Sequence, residues 1–184
     1  VFVGGGFDQR EDARFFGIEQ AGLPLASRDD VVVFQTEPLE QDLAVVGPVV
    51  VRLSISSDCP DTDFTAKLID VYPANPDYPE GYALNIAHGI LRMRFRESFE
   101  TPEPMEPGKV YRVRIASFPM SNVFAAGHRI RVEIAGSNFP HFDINPNVDW
   151  RNPGLAAVAA ENSVHLGGNQ ASQILLPVVR ASGS

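Results

Sequence analysis

The feature that most constrains this chain is a two-residue beat in its apolar side chains. In Val49-Val50-Val51-Arg52-Leu53-Ser54-Ile55-Ser56, Val49, Val51, Leu53 and Ile55 fall on one side, and Arg52, Ser54 and Ser56 on the other. Successive side chains of an extended strand point to opposite faces, so such a run buries one face of a sheet and cannot build one face of a helix. The beat recurs in Asp63–Tyr72, where Phe64, Ala66, Leu68 and Asp70 share a side. In residues 89–96, Leu91, Met93 and Phe95 oppose Ile90, Arg92, Arg94 and Arg96. Residues 110–115 and 129–135 alternate apolar with charged. Residues 31–35, 82–87, 163–166 and 173–179 complete the strand candidates.

What lies between these runs sets the architecture. Gly and Pro number 15 each, and they separate the β-rich runs instead of interrupting long helical patterns. Residues 73–81 hold Pro73, Pro76 and Pro79 and predict a hairpin loop; residues 101–108 form a second Pro-rich connection. Seven or eight short strands with this punctuation predict an all-β sandwich. Long Pro-rich connections alternating with short turns favour Greek-key, jelly-roll crossings over a plain meander. At most one or two short helices are expected in loops, at residues 155–161 and 121–126.

Size and charge close off other classes. A chain of 184 residues suits one domain. With 44% hydrophobic and 21% charged residues, disorder is excluded as its main state. A net charge of -8 argues against nucleic acid as a partner, because phosphate neutralisation needs a clustered positive field. No run approaches the ~20 apolar residues that span a bilayer, so no membrane partner is expected. The single cysteine, Cys59, excludes an internal disulfide and a Cys-rich zinc site. The four histidines lack the i, i+4 spacing of a helical zinc pair. No metal and no cofactor is expected. The compartment is not fixed, the cytoplasm being favoured. The start Val1-Phe2-Val3-Gly4-Gly5-Gly6 reads as mid-sequence, and its glycines as a flexible connector, since neither a Walker nor a Rossmann context surrounds them.

A search for chemistry is mostly negative. The Gly-x-Ser-x-Gly nucleophile turn is absent, and Ser137 lacks the flanking glycines, so no catalytic residue is expected in this chain. Counted from Asp58 or Asp61, the sixth and twelfth positions are Asp63 and Ile69, or Ala66 and Tyr72, which excludes an EF-hand. Asp58, Asp61, Asp63 and Asp70 are read as Asx-turns and strand-start caps, and His128 and His141 as satisfying local backbone groups. Arg92, Arg94 and Arg96 are read as a solvated row paired with Glu97 and Glu100. Cys59 is read as an inert thiol in a turn. Two stretches resist such readings. Residues 137–147 form a stiff loop with two rings, and Arg14-Phe15-Phe16-Gly17-Ile18 puts two aromatics side by side in a loop-like segment. Both imply docking against another surface.

The order of certain segments resembles a known family. These are Ser27-Arg28-Asp29-Asp30 leading into Val31–Gln35, Asp61-Thr62-Asp63-Phe64, Gly89-Ile90-Leu91-Arg92, Ser121-Asn122-Val123-Phe124, Gly127-His128-Arg129-Ile130, Ser137-Asn138-Phe139-Pro140-His141-Phe142-Asp143 and Leu175-Leu176-Pro177-Val178-Val179. Over about residues 27–180 the chain resembles the C-terminal domain of the X-Pro dipeptidyl-peptidase and cocaine esterase family of serine hydrolases. The resemblance implies a galactose-binding-domain-like jelly-roll at residues 27–184. Residues 1–26 would be the segment or linker leading in from a separate α/β-hydrolase domain, which carries the Ser-Asp-His triad. It implies a non-catalytic accessory domain that stabilises the hydrolase domain and closes one side of its active site. The parent would be a serine peptidase or esterase; this chain alone would not be an enzyme. The candidate substrate-pocket or domain-docking residues are Phe15, Phe16, Asn138, Phe139, His141 and Phe142. The expected partner is the hydrolase domain of the same parent, with a homodimer also open. The alternative is a free-standing carbohydrate-binding sandwich, using Trp150, Tyr78 and Tyr82 as stacking platforms.

Overall fold

A computed structural model describes residues 8–11, 20–168 and 171–179. Eight strands occur among them: β1 (Val31–Gln35), β2 (Leu43–Ser57), β3 (Asp63–Tyr72), β4 (Tyr82–Arg92), β5 (Tyr111–Phe124), β6 (Arg129–Ala135), β7 (Asn162–Val164) and β8 (Gln173–Leu175). They form two antiparallel sheets, ordered β1-β6-β3-β4 and β5-β2-β7, with β8 also pairing with β2. The described residues hold no α-helix; single 3-10 turns stand at Leu25–Ser27 and Met93–Phe95. The all-β jelly-roll sandwich expected from the alternating runs is the fold observed.

The core follows from the beat. Val49, Val51, Leu53 and Ile55 of β2 face Phe64, Ala66 and Leu68 of β3 and Ile130, Val132 and Ile134 of β6, with Val113, Ile115 and Phe124 of β5 beside them. Each such side chain taken from water contributes roughly 1.5–3 kcal/mol. Where β4 packs against β5, the chain carries a glycine: a Cβ on Gly89 of β4 would lie 2.8 Å from the Ala116 carbonyl oxygen and 2.9 Å from Ile115 Cγ2 of β5. A backbone atom cannot swing aside, so only glycine fits at that crossing.

Several local expectations need correction. Strand β2 begins at Leu43 instead of residue 49. Gly47-Pro48 does not end it, because β5 absorbs the irregularity with a register shift between Pro48↔Pro119 and Val50↔Ala116. Residues 121–124 are not helical; they are the end of β5, laddered against residues 43–46. Residues 155–161 are not helical either, since their amides are engaged elsewhere: Val158 N–H donates to the Pro146 carbonyl at 3.0 Å and Glu161 N–H to Asp58 Oδ1 at 2.8 Å. The run 89–96 leaves the sheet after Arg92 and turns at Met93–Phe95. The last two strands are shorter than expected, ending at Val164 and Leu175.

Candidate docking face

Lateral neighbours on the outer face of the first sheet explain its unusual polarity. His88 of β4 pairs in register with Lys67 of β3, which pairs with Glu133 of β6. Outward-facing charges on a strand are ordinarily solvated, yet Lys67 is 9% exposed and Glu133 3%. The cover comes from the chain ahead of β1. Gln9 N–H donates to the Ala83 carbonyl of β4, Leu25 N–H to the Gln9 carbonyl, and Glu11 and Gly22 or Leu23 exchange backbone bonds. Gln9 Oε1 thereby accepts from Lys67 Nζ at 3.2 Å. Burial pushes the Lys67 ammonium down, opposed by Glu133, and pushes the Glu133 carboxyl up, opposed by Lys67 and Arg131.

Arg28 fastens this cover. It forms ion pairs with buried Glu11 and, at 2.6 Å, with Asp30. The Arg28 bond holds the Asp30 carboxyl below its ordinary range. Beside it opens a cleft of about 620 Å³, lined in part by Glu11, Arg28, Asp30, Glu133, Phe139 and Ile144.

The opposite wall is the 137–147 loop, and Asn145 pins it. Its Nδ2 donates to Asp63 Oδ1 at 2.8 Å and Asp61 Oδ2 at 3.2 Å, and Asn145 itself is 4% exposed. Arg92 binds Asp63 through two bonds, of 2.9 and 3.0 Å, and also donates to the Asp143 carbonyl at 3.2 Å. Arg94 reaches Asp61 through its backbone N–H at 3.0 Å and Nη1 at 3.2 Å. Two buried acids meet two arginines, so charge balances, although burial still pushes the Asp61 carboxyl up. The arginines are therefore no solvated row: Arg92 pairs with Asp63, Arg94 with Asp61 and Arg96 with Glu103, not with Glu97 and Glu100. Arg96 donates to the carbonyls of Glu103 and Pro104 and covers the Tyr111 ring at 4.6 Å.

The candidate site residues divide. Asn138 and Phe139 line the cleft, and Phe139 is 42% exposed. His141 and Phe142 turn toward β4. Their N–H groups both donate to the Asn138 carbonyl, His141 Nε2 lies 2.9 Å from His88 Nε2, and Phe142 sets its ring edge-on to both imidazoles. The bond between Phe139 and Pro140 is cis. Phe15 and Phe16 lie outside the described residues. His128, expected to bond local backbone, instead donates through Nδ1 to buried Asp70 at 2.8 Å, under the Tyr72 ring. Burial pushes the Cys59 thiol up to about 11, which fits an inert group.

Two arrangements bear on chemistry. Ser56 Oγ lies 3.0 Å from His165 Nε2, but no carboxylate orients that imidazole among the described residues, so the pair lacks the third member of a triad. The proposed sugar platforms do not form one row. Tyr78 and Tyr82 pack together at the hairpin that starts β4, whereas Trp150 lies between Arg94 and Arg151 beyond its end, roughly 30 Å away along an 11-residue strand.

The sequence reading missed the Lys67–Glu133 row, the Asn145 pin and the His88–His141 contact. The first had a signal: opposite charges at outward positions of two strands that would become neighbours. The other two join residues 82 and 53 positions apart, and no local pattern reports such contacts.

An antiparallel jelly-roll sandwich whose first sheet is overlain by the preceding chain, with a pinned loop along one side of a charged cleft, defines a sandwich module of a recognisable class. The chain belongs to the family of X-Pro dipeptidyl-peptidase C-terminal non-catalytic domains, which it matches over residues 8–175. It is 42% identical over 160 residues to cocaine esterase of Rhodococcus sp. (strain MB1 Bresler), covering 85% of this chain and 27% of that protein. A solved aminopeptidase from a marine sediment archaeon (Thaumarchaeota) superposes with a TM-score of 0.79 at 36% identity, covering 85% of this chain and 27% of that one. A solved α-amino acid ester hydrolase superposes with a TM-score of 0.78 at 35% identity, covering 84% and 26%. The chain thus spans about a quarter of the length of the relatives it matches. No helix among the described residues is long and apolar enough to cross a membrane.

Proposed function

We propose that this domain acts within a larger serine hydrolase of esters or amides, where it stabilises the α/β-hydrolase domain and closes one side of its active site. The observation that carries this reading is the exposed apolar set on the pinned loop and its neighbour. Phe139 is 42% exposed, Ile144 46%, Leu155 53% and Val158 48%. Val158 N–H is tied to the Pro146 carbonyl, which joins the second segment to the first. Stiff loops presenting large apolar side chains are costly in water and suit burial against another surface. Phe15 and Phe16, adjacent aromatics in the eight residues between Glu11 and Gln20, are assigned the same docking role on their sequence alone.

The test uses the whole parent protein. Phe139→Glu combined with Ile144→Glu is expected to lower the thermal midpoint of the hydrolase domain and raise KM for ester or aminoacyl-proline substrates. Both side chains are already exposed, so the 184-residue chain by itself keeps its stability. Unchanged parent midpoint and KM would refute the docking face. Turnover by the pure 184-residue chain, or a titratable serine in it, would refute the accessory role.

A further inference from the structure

We propose that His88 and His141 form a two-imidazole chelate for a divalent transition-metal ion of tetragonal preference, Cu2+ or Ni2+, where β4 meets the 137–147 loop.

The contact is a hydrogen bond whose tilt also suits two ligands of one ion. The Nε2 atoms lie 2.9 Å apart, the ring centroids only 4.5 Å apart, and the rings stand at 82°. A straight N–H···N bond of that length would hold the centroids roughly 5 Å apart, because each lies about 1.2 Å behind its nitrogen. At 4.5 Å the rings are tilted from that straight arrangement, a tilt compatible with two bonds to one ion. Metal–imidazole bonds of about 2.0–2.1 Å meeting at a right angle place their nitrogens about 2.9 Å apart. A tetrahedral angle opens that separation to about 3.3 Å, so the spacing fits tetragonal Cu2+ or Ni2+ better than Zn2+.

The surroundings fit a ligand role. Lys67, in register with His88, is the cation that opposes a metal; its Nζ donates to Gln9 Oε1 at 3.2 Å, and Glu133 lies across from it on β6. Asn85 Nδ2 lies 3.4 Å from His88 Nδ1. With the amide turned over, its oxygen would accept from Nδ1–H, the outer bond that orients a metal-bound imidazole. No third His, Cys, Asp or Glu completes the set among the described residues, so the remaining positions would go to water. A bound ion would tie the 137–147 loop to the sheet at a second point, beyond Asn145.

The test is titration of the chelator-stripped 184-residue chain with CuCl2, NiCl2 and ZnCl2 at pH 7.5, read by calorimetry, with electron paramagnetic resonance of the Cu2+ form. One equivalent is expected to bind, in the order Cu2+, Ni2+, Zn2+. The Cu2+ spectrum should report two ring nitrogens. His88→Gln and His141→Gln should each weaken Cu2+ binding at least tenfold, and His165→Gln should leave it unchanged. His141 is on an exposed loop, so its variant carries the test should the β4 substitution disturb folding. The proposal is overturned by Cu2+ binding no tighter than about 10⁻⁴ M, by a one-nitrogen spectrum, or by undiminished affinity in the folded His141→Gln protein.

Discussion

Replacing Asn145 with Ala isolates the pin of the 137–147 loop. The side chain is 4% exposed and gives its amide protons to two buried carboxylates, Asp63 at 2.8 Å and Asp61 at 3.2 Å. Each acid keeps its arginine, so neither is left as an unpaired charge; what disappears is one charge-assisted bond per acid. Bonds to charged groups contribute about 1.5–3 kcal/mol each, and the surviving arginines soften the loss, which gives about 2–3 kcal/mol in total. With a urea m-value of about 2 kcal/mol/M, that moves the unfolding midpoint down by about 1–1.5 M at constant m. The corresponding fall in Tm is about 4–12 °C. Asn145→Asp is the sharper control. It sets a third carboxylate against two others, so at pH 7 it should be less stable than the Ala variant, and acid should close the gap as a proton enters the cluster. A midpoint shift below about 0.3 M for the Ala variant, or an Asp variant no worse than Ala at pH 7, would refute the idea that this amide bridges two ionised acids.

Other outcomes follow from the same geometry. Gly89→Ala pushes a Cβ to 2.8 Å from the Ala116 carbonyl and should cost about 1–3 kcal/mol in urea unfolding; a neutral result would mean the sheets separate easily there. His128→Ala leaves the 0%-exposed Asp70 carboxylate with Asn122 alone and should cost about 2–4 kcal/mol, measured the same way. In chelator-containing buffer, the depressed His88 fixes the sign of a pH effect. The folded state binds its proton less readily than the unfolded chain, so the His88 contribution is whole above the ordinary value of 6.5 and is lost as pH falls toward the lowered one. Stability of the wild type should therefore drop below pH 6.5 relative to His88→Gln, and parallel curves would contradict this. Phe64→Ala, at 2% exposure in the core, should cost about 3–5 kcal/mol.

The sandwich was legible because alternation is a local signal: Val49, Val51, Leu53 and Ile55 declare their face without reference to the rest of the chain. Strand limits were less so. Gly47-Pro48 resembles a break, and only the register shift opposite it in β5 lets β2 run through. Residues 121–124 have no strong β pattern and are held extended by pairing with residues 43–46. The stiffness of the 137–147 loop could be read from its prolines and rings, but not its anchor. Asp61 and Asp63 look like turn acids until β4 ends beside them and brings Arg92 and Arg94 within reach. The same limit applies to His128, whose partner Asp70 is 58 positions away.

The chain ahead of β1 does more than lead into the sandwich. Asp8 bridges to Leu84 along the free side of β4, while Gln9 and Glu11 roof Lys67 and hold Arg28. A shortened protein lacking these residues would expose an unpaired strand margin and a half-dried ammonium together. Self-association through that margin is the expected fate of such a protein, so the working unit for any study of this domain includes residue 8.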